Sequence, residues 1–241
     1  MSARRKNQPS PQSALLRSPR MLLALIVGVA ILVAALMAVL SQLGGAGGSS
    51  NSSEDVGKLY SGIPQNGTTL GKSGAPVTIY LYEDFQCPYC GQFSRQMFPR
   101  LVEDYVRGGQ AKLISEPLTF LGPDSVEASK AALAAGEQNR YWPYYSLLFE
   151  NQGEENSGYV TTSFLEGLAK QTPGLDVGKW DATRKENSLE SELYEAQAKA
   201  RSAGVDSTPT LIFSGPGGQQ TIAELRDYEQ ISQAIDQVDG A

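Results

Sequence analysis

The chain has 241 residues, with twenty Lys or Arg against twenty-six Asp or Glu, a net charge of −6, two cysteines and no histidine. The missing histidine removes His-based metal sites and the Ser-His and Cys-His nucleophile systems before any motif is weighed. The acidic balance argues against nucleic acid or an anionic lipid surface as the main partner.

Residues 1–20 carry Arg4, Arg5, Lys6, Arg17 and Arg20 and no acid. Met21 to Leu40 follows without a charged or strongly polar side chain. At ~1.5 Å per residue a helix of that length spans the ~30 Å hydrocarbon layer. The positive-inside rule then holds residues 1–20 in the cytoplasm and sends the rest across, giving a single-pass protein of the cell membrane. A cleavable signal peptide is the competing reading. The apolar run exceeds the usual ~7–15 residue signal core and no clear small-x-small site follows it, which favours an uncleaved anchor at 21–40.

Beyond residue 40, fifteen bases face all twenty-six acids, a net charge of −11. Residues 41–59, with the run Gly44-Gly-Ala-Gly-Gly-Ser-Ser-Asn-Ser-Ser53, read as a flexible tether. Residues 60–241 are the right size for one globular domain. An extracytoplasmic domain also suits a working disulfide, which persists outside the cytoplasm and is reduced inside it.

Within that domain Val77–Leu81 is short, β-branched and aromatic, and apolar on both faces, as a buried strand requires. From Cys87 to Val106 the pattern turns helical, with Phe93, Met97, Leu101 and Tyr105 on one face and Pro99 expected to kink the helix. Ala111–Leu118 reads as the next strand. Helical patterns then cover Val126–Arg140, Trp142–Phe149, Thr162–Lys170 and Leu189–Ala203. Thr208–Phe213 is again a strand, Gly215–Gly218 a turn and Gln219–Ala223 its partner, before an amphipathic helix at Asp227–Val238.

Both cysteines sit in Cys87-Pro88-Tyr89-Cys90, directly after the first strand and across the start of a helix. Two thiols at i and i+3 close a small disulfide and reopen it, which is redox chemistry. The attacking species in disulfide exchange is the thiolate, scarce in a free cysteine of pKa ~8.5 near neutral pH. At a helix N-terminus Cys87 meets unpaired N–H groups and the positive end of the macrodipole, both favouring the anion. Cys87 is therefore the expected nucleophile and Cys90, one turn in and below the surface, the resolving thiol. Half a zinc site is excluded by ligand count. A purely structural disulfide closing so short a loop would stabilise little. Tyr141, Trp142, Tyr144 and Tyr145 form an aromatic stripe that reads as core packing before it reads as a binding surface.

Glu83-Asp-Phe-Gln-Cys-Pro-Tyr-Cys90, followed at a distance by Gly204-Val-Asp-Ser-Thr-Pro-Thr210, resembles the DsbA-like branch of the thioredoxin superfamily. Leu70-Gly-Lys-Ser-Gly-Ala-Pro-Val77 and Tyr141-Trp-Pro-Tyr-Tyr-Ser-Leu-Leu-Phe-Glu-Asn-Gln152 add to the likeness, which covers residues 60 to 240. The resemblance implies an α/β fold, a thioredoxin core with an all-helical insertion at about residues 123–204. It implies a thiol-disulfide oxidoreductase that exchanges the Cys87–Cys90 disulfide with cysteines of exported proteins, as a disulfide donor. The expected partners are those clients and a membrane redox protein that resets the pair; no metal or other cofactor is expected.

The resemblance also places Thr208-Pro209 beside the cysteines with a cis peptide bond, presenting the Thr208 backbone to an extended substrate. Glu83 and Asp84 become candidates for the acid that shuttles the Cys90 proton, with exposed loop acids as the alternative. Pro88 and Tyr89 tune the pair. Tyr89 departs from the histidine that oxidising members often carry, so the expected potential lies below the ~−120 mV of DsbA. A reductase or isomerase on the same fold, and a non-catalytic tethered chaperone or binding module, are the alternatives.

Overall fold

A computed structural model of the chain describes residues 52–240 together with Gly28 and Val29. Apart from those two, the basic tail at 1–20 and the anchor at 21–40 lie outside the described residues. Among the described residues no helix is long and apolar enough to cross a membrane.

The tether expected over 41–59 gives way to structure where the described residues begin. Ser52–Tyr60 is a helix, α1, with Glu54 and Asp55 in its first turn and Lys58 in its last, each charge complementing the helix dipole. Val56 and Tyr60, four residues apart and so on one face, are both buried. The Tyr60 hydroxyl shares a 2.6 Å hydrogen bond with Ser146. Tertiary docking, not intrinsic propensity, makes so short a helix stable.

A small hairpin follows, β1 (Gln65–Asn66) and β2 (Thr69–Leu70). Strand β3 is Val77–Glu83, and Pro88–Gln96 forms α2. On β3, Thr78 and Tyr80 are only partly buried, so its first half alternates instead of being covered on both faces. The expected kink is a break: α2 ends at Met97, α3 (Phe98–Leu101) restarts with Pro99 in its first turn, and Val102–Val106 continues as a π-helical segment. Proline cannot donate to a carbonyl one turn back and its ring crowds that carbonyl, so the helix restarts around it.

Strand β4 (Ala111–Pro117) leads into five helices: α4 (Pro123–Gly136), α5 (Tyr141–Glu150), α6 (Thr162–Gln171), α7 (Val177–Thr183) and α8 (Ser188–Ser202). The chain returns through β5 (Thr210–Gly215), β6 (Gly218–Ile222) and α9 (Tyr228–Asp239). The sheet runs β1-β2-β4-β3-β5-β6. Among the described residues only β3 and β4 pair in parallel, in a register that sets Leu81 opposite Ser115 and Glu83 opposite Pro117. Antiparallel β5 flanks β3 on its other side, Tyr82 opposite Thr210. This is the β-α-β, helical block, β-β-α order expected from the sequence.

Tyr141, Trp142, Tyr144 and Tyr145 are fully buried on α5. Trp142 stacks on Phe98 with centroids 5.4 Å apart and planes 13° from parallel. Tyr145 meets Phe85, Phe98 and Phe149. The aromatic stripe packs α5 against α3 and the cysteine-bearing turn, and its Tyr141 and Tyr145 hydroxyls bond Ser115 and Glu83 of the sheet.

Candidate active site

Strand β3 is central, so its end is well anchored, and the turn from Asp84 to Cys87 projects from that end. The Asp84 carboxylate organises this turn. It accepts from the Gln86 N–H at 2.9 Å, the Ser125 hydroxyl at 2.6 Å and the Leu121 N–H at 3.0 Å. The Gln86 side chain donates to Leu121 O and Ser125 Oγ and accepts from the Asn156 N–H. Gln152, just past α5, donates to the carbonyls of Phe85 and Cys87. The cysteine-bearing turn is thus held largely by the insertion.

Cys87 is the N-cap of α2 in an extended conformation, with Pro88 in the first turn. Its carbonyl accepts the Gly91 N–H at 3.1 Å, which leaves the preceding N–H groups of the turn directed at the sulfur. The Cys87 thiol is pulled down from its ordinary value to about 6. The largest cause is the hydrogen bond it receives from the Cys90 thiol; the Thr208 side chain and the N–H groups of Cys90 and Tyr89 add to it, against the cost of burial. Cys90 is pushed well up, first by burial, then by its donation to Cys87 and the charges of Glu83 and Cys87. Both thiols are free in this structure. The pair is asymmetric, one sulfur prepared as an anion and its neighbour held as a donor.

The Thr208–Pro209 bond is cis, and the Thr208 carbonyl lies 3.4 Å from Cys87 Sγ. Beside them opens a cleft of about 400 Å³ whose lining includes Tyr89, Met97, Pro209, Leu225 and Arg226. Tyr89 is 69% exposed at its rim. Cys87, Cys90, Pro88, Tyr89, Thr208 and Pro209 are therefore neighbours in space.

Glu83 and Asp84 are both buried, at 3% and 0% exposure, which overturns the reading of exposed loop acids. They differ in what they do. Asp84 is raised by burial and partly restored by its donors, Ser125 first and then the N–H groups of Gln86, Leu121 and Phe120. Its oxygens are engaged in holding the turn. Glu83 is raised well above the usual carboxylate range, chiefly by burial and further by the Cys87 charge, against one hydrogen bond from Tyr145. Its Oε1 is buried without a hydrogen-bond partner among the described residues. Burial thus favours the protonated form of Glu83 over the carboxylate.

Sequence reasoning did not single out Gln86, Ser125 or Gln152 as positioning groups, nor Tyr145 as more than core. Gln152 closes the Tyr141–Gln152 stretch that carried part of the family likeness. Gln86 stands inside the Glu83–Cys90 stretch, but nothing in either run says that the amides clamp the turn.

A thioredoxin family profile matches residues 64–237. The chain is 28% identical over 195 residues to the disulfide bond formation protein D of Bacillus subtilis, covering 77% of this chain and 84% of that one. The oxidised BdbD crystal structure from Bacillus subtilis superposes with a TM-score of 0.64 at 24% identity, over 72% of this chain and 95% of that one. DsbA of Chlamydia trachomatis superposes with a TM-score of 0.61 at 23% identity, over 70% and 90%.

Proposed function

The chain belongs to the thioredoxin family and is a thiol-disulfide oxidoreductase, and from that premise we propose that it works as a disulfide donor to exported proteins. The observation that carries this reading is the Cys87 thiol held at about 6. A stabilised thiolate stabilises the reduced dithiol, and a stable dithiol makes its disulfide a better oxidant.

In the proposed cycle a client thiolate attacks Cys87 of the Cys87–Cys90 disulfide. A mixed disulfide forms and Cys90 leaves with the electron pair. A second client thiolate then attacks the client sulfur of that bond and releases Cys87 as a thiolate. The client has lost two electrons and the pair has gained them. The cleft beside Pro209 receives the client as an extended strand against the Thr208 backbone, with apolar side chains on Met97 and Leu225. A membrane redox partner removes the two electrons and resets the disulfide. The apolar run Met21–Leu40 and the five bases before it support a single-pass anchor with the catalytic domain outside the cytoplasm.

The deciding experiment is the redox potential of the full chain in detergent, equilibrated in glutathione buffers and read by thiol alkylation. A value between ~−120 and ~−180 mV fits a donor. A value below ~−250 mV transfers the role to a reductase fed with electrons from across the membrane.

A further inference from the structure

Glu83 ends strand β3 and Tyr145 lies on α5, and the two meet in the interior below the cysteine turn. The Tyr145 hydroxyl donates to Glu83 Oε2 at 2.8 Å. The other carboxyl oxygen, Oε1, is buried and has no partner among the described residues. Both side chains are within the core, at 3% and 0% exposure. Two oxygens of one carboxyl thus stand in different surroundings, one committed as an acceptor and the other uncommitted.

The direction of the Tyr145 bond is settled by chemistry. Burial and the adjacent carboxyl both oppose ionising this phenol, so it keeps its proton and acts as the donor. An oxygen that accepts a strong hydrogen bond is the poorer place for the acid proton. The proton of neutral Glu83 therefore resides on Oε1. Ionising Glu83 opposes ionising Cys90, and the Cys87 charge acts on Glu83 in turn, so the carboxyl belongs electrostatically to the cysteine pair.

We infer that Tyr145 is a positioning residue for proton transfer at Cys90: by occupying Glu83 Oε2 it fixes Oε1 as the oxygen that gives and takes the exchangeable proton. The inference rests on the reading that Cys87 and Cys90 carry the exchange. When a client thiolate breaks the Cys87–Cys90 bond, Cys90 departs as a buried thiolate. The proton on Glu83 Oε1 passes to that sulfur, leaving a carboxylate whose charge the Tyr145 hydrogen bond offsets. On reoxidation Cys87 first forms a mixed disulfide with the partner. The Cys90 thiol then returns its proton to Oε1 as its sulfur attacks Cys87 in that bond, and the partner sulfur leaves with the two electrons. The carboxyl ends the cycle as it began, so no further proton donor is needed at this atom. Tyr145 makes the charged intermediate accessible without lending a charge of its own.

The test is Tyr145→Phe in the full chain, with Tyr141→Phe as its control. Tyr141 is equally buried, but its hydroxyl bonds Ser115 at 2.6 Å instead of Glu83. Glu83 titration is followed by carbon NMR of the labelled carboxyl, and the exchange rate is measured across pH. A hydrogen bond to a charged group is worth enough that its loss makes Glu83 about a tenfold weaker acid, a rise of about one pH unit. The expected result is that rise in Tyr145→Phe, a matching displacement of the exchange profile, and neither in Tyr141→Phe. In a Glu83→Gln background the Tyr145→Phe change has no further effect on the profile.

An unmoved Glu83 titration, an equal movement in the control, or an undiminished effect in the Glu83→Gln background overturns the inference. If Tyr145→Phe does not fold, a ring-fluorinated tyrosine at position 145, a stronger donor, moves the titration down; no movement overturns the inference equally. The carboxyl titration needs no turnover, so it stands apart from the functional reading. Exchange that survives Cys87→Ser overturns that reading instead.

Discussion

The side-chain amide of Gln152 donates to the main-chain oxygen of Cys87 at 2.9 Å, tying the helical insertion to the sulfur-bearing residue itself. The same nitrogen reaches the Phe85 carbonyl at 3.0 Å. Gly91, the residue after Cys90, lies against this clamp: a Cβ built there overlaps Gln152 Oε1 and comes within 2.9 Å of the Arg95 guanidinium.

That packing decides the sign of a substitution. Gly→Ala inside a helix ordinarily stabilises by about 0.5–1 kcal/mol. Here the methyl group must displace the Gln152 amide, and a buried hydrogen bond lost costs about 1 kcal/mol. Gly91→Ala is expected to lower the denaturation midpoint and slow exchange. In a Gln152→Ala background the methyl group meets only the Arg95 guanidinium, itself hydrogen-bonded to the Phe149 carbonyl, and the same change is expected to cost less. Chemical denaturation of the four proteins checks the difference.

The Cys87 thiol at about 6 gives a reactivity profile. Alkylation of the reduced chain is expected to rise with a midpoint near pH 6 and to fall on Cys87 alone, Cys90 responding only at much higher pH. The folded value lies below the ~8.5 of an unfolded thiol. The contribution of this thiolate to the stability of the reduced form is therefore complete above about 8.5 and lost as pH falls through the folded value. Thermal unfolding of reduced and oxidised protein across that range checks the sign. A gap that narrows as pH rises contradicts it.

Glu83 and Asp84 separate by substitution. Asp84→Asn puts an amide where three donors converge, and is expected to cost about 1–3 kcal/mol while leaving the pH dependence of exchange in place. Glu83→Gln is expected to flatten that dependence. Its stability effect runs the other way. The folded pKa of Glu83 stands above its unfolded value of ~4.3, so its contribution is complete below that value and lost as pH rises through the raised one. Glu83→Gln should therefore gain on the parent protein as pH rises. A gain confined to acid pH would be the wrong sign.

These residues also show where sequence reading stops. The β-α-β, helical block, β-β-α order was legible because Val77–Leu81, Ala111–Leu118 and Thr208–Phe213 are short apolar-rich runs set off by turn signals and by the helical patterns between them. The cysteine pair was legible because its chemistry is local: a helix start and two thiols one turn apart. Helix α1 was not, since Ser52–Tyr60 follows a Gly/Ser run and owes its stability to Val56 and Tyr60 docking on distant partners. The two-residue strands β1 and β2 are too short to show alternation, and α7 is only two turns long. Burial of Glu83 and Asp84 depends on Tyr145 and Ser125, some 60 and 40 residues away along the chain, and acids at a strand end read as exposed until those partners are placed.

Tyr89 supplies the last prediction. The groups that lower the Cys87 thiol are the Cys90 thiol, the Thr208 side chain and two N–H groups, none of them carrying a full charge. The Tyr89 ring stands 69% exposed at the cleft rim, so the position accepts a different side chain without repacking the core. Tyr89→His places an imidazole there whose protonated form supplies the missing positive charge. A further lowering of the Cys87 thiol stabilises the reduced pair and leaves the protein less willing to stay oxidised. Each tenfold shift in that equilibrium is worth about 30 mV in a two-electron couple. Tyr89→His is therefore expected to raise the potential by about 30 mV or more and to move the Cys87 alkylation midpoint below that of the parent. The gain should fade above pH ~6.5, where the imidazole loses its charge. A potential that rises equally in Tyr89→Phe would assign the effect to the lost hydroxyl, and one that rises in neither would place the tuning in the Thr208 loop.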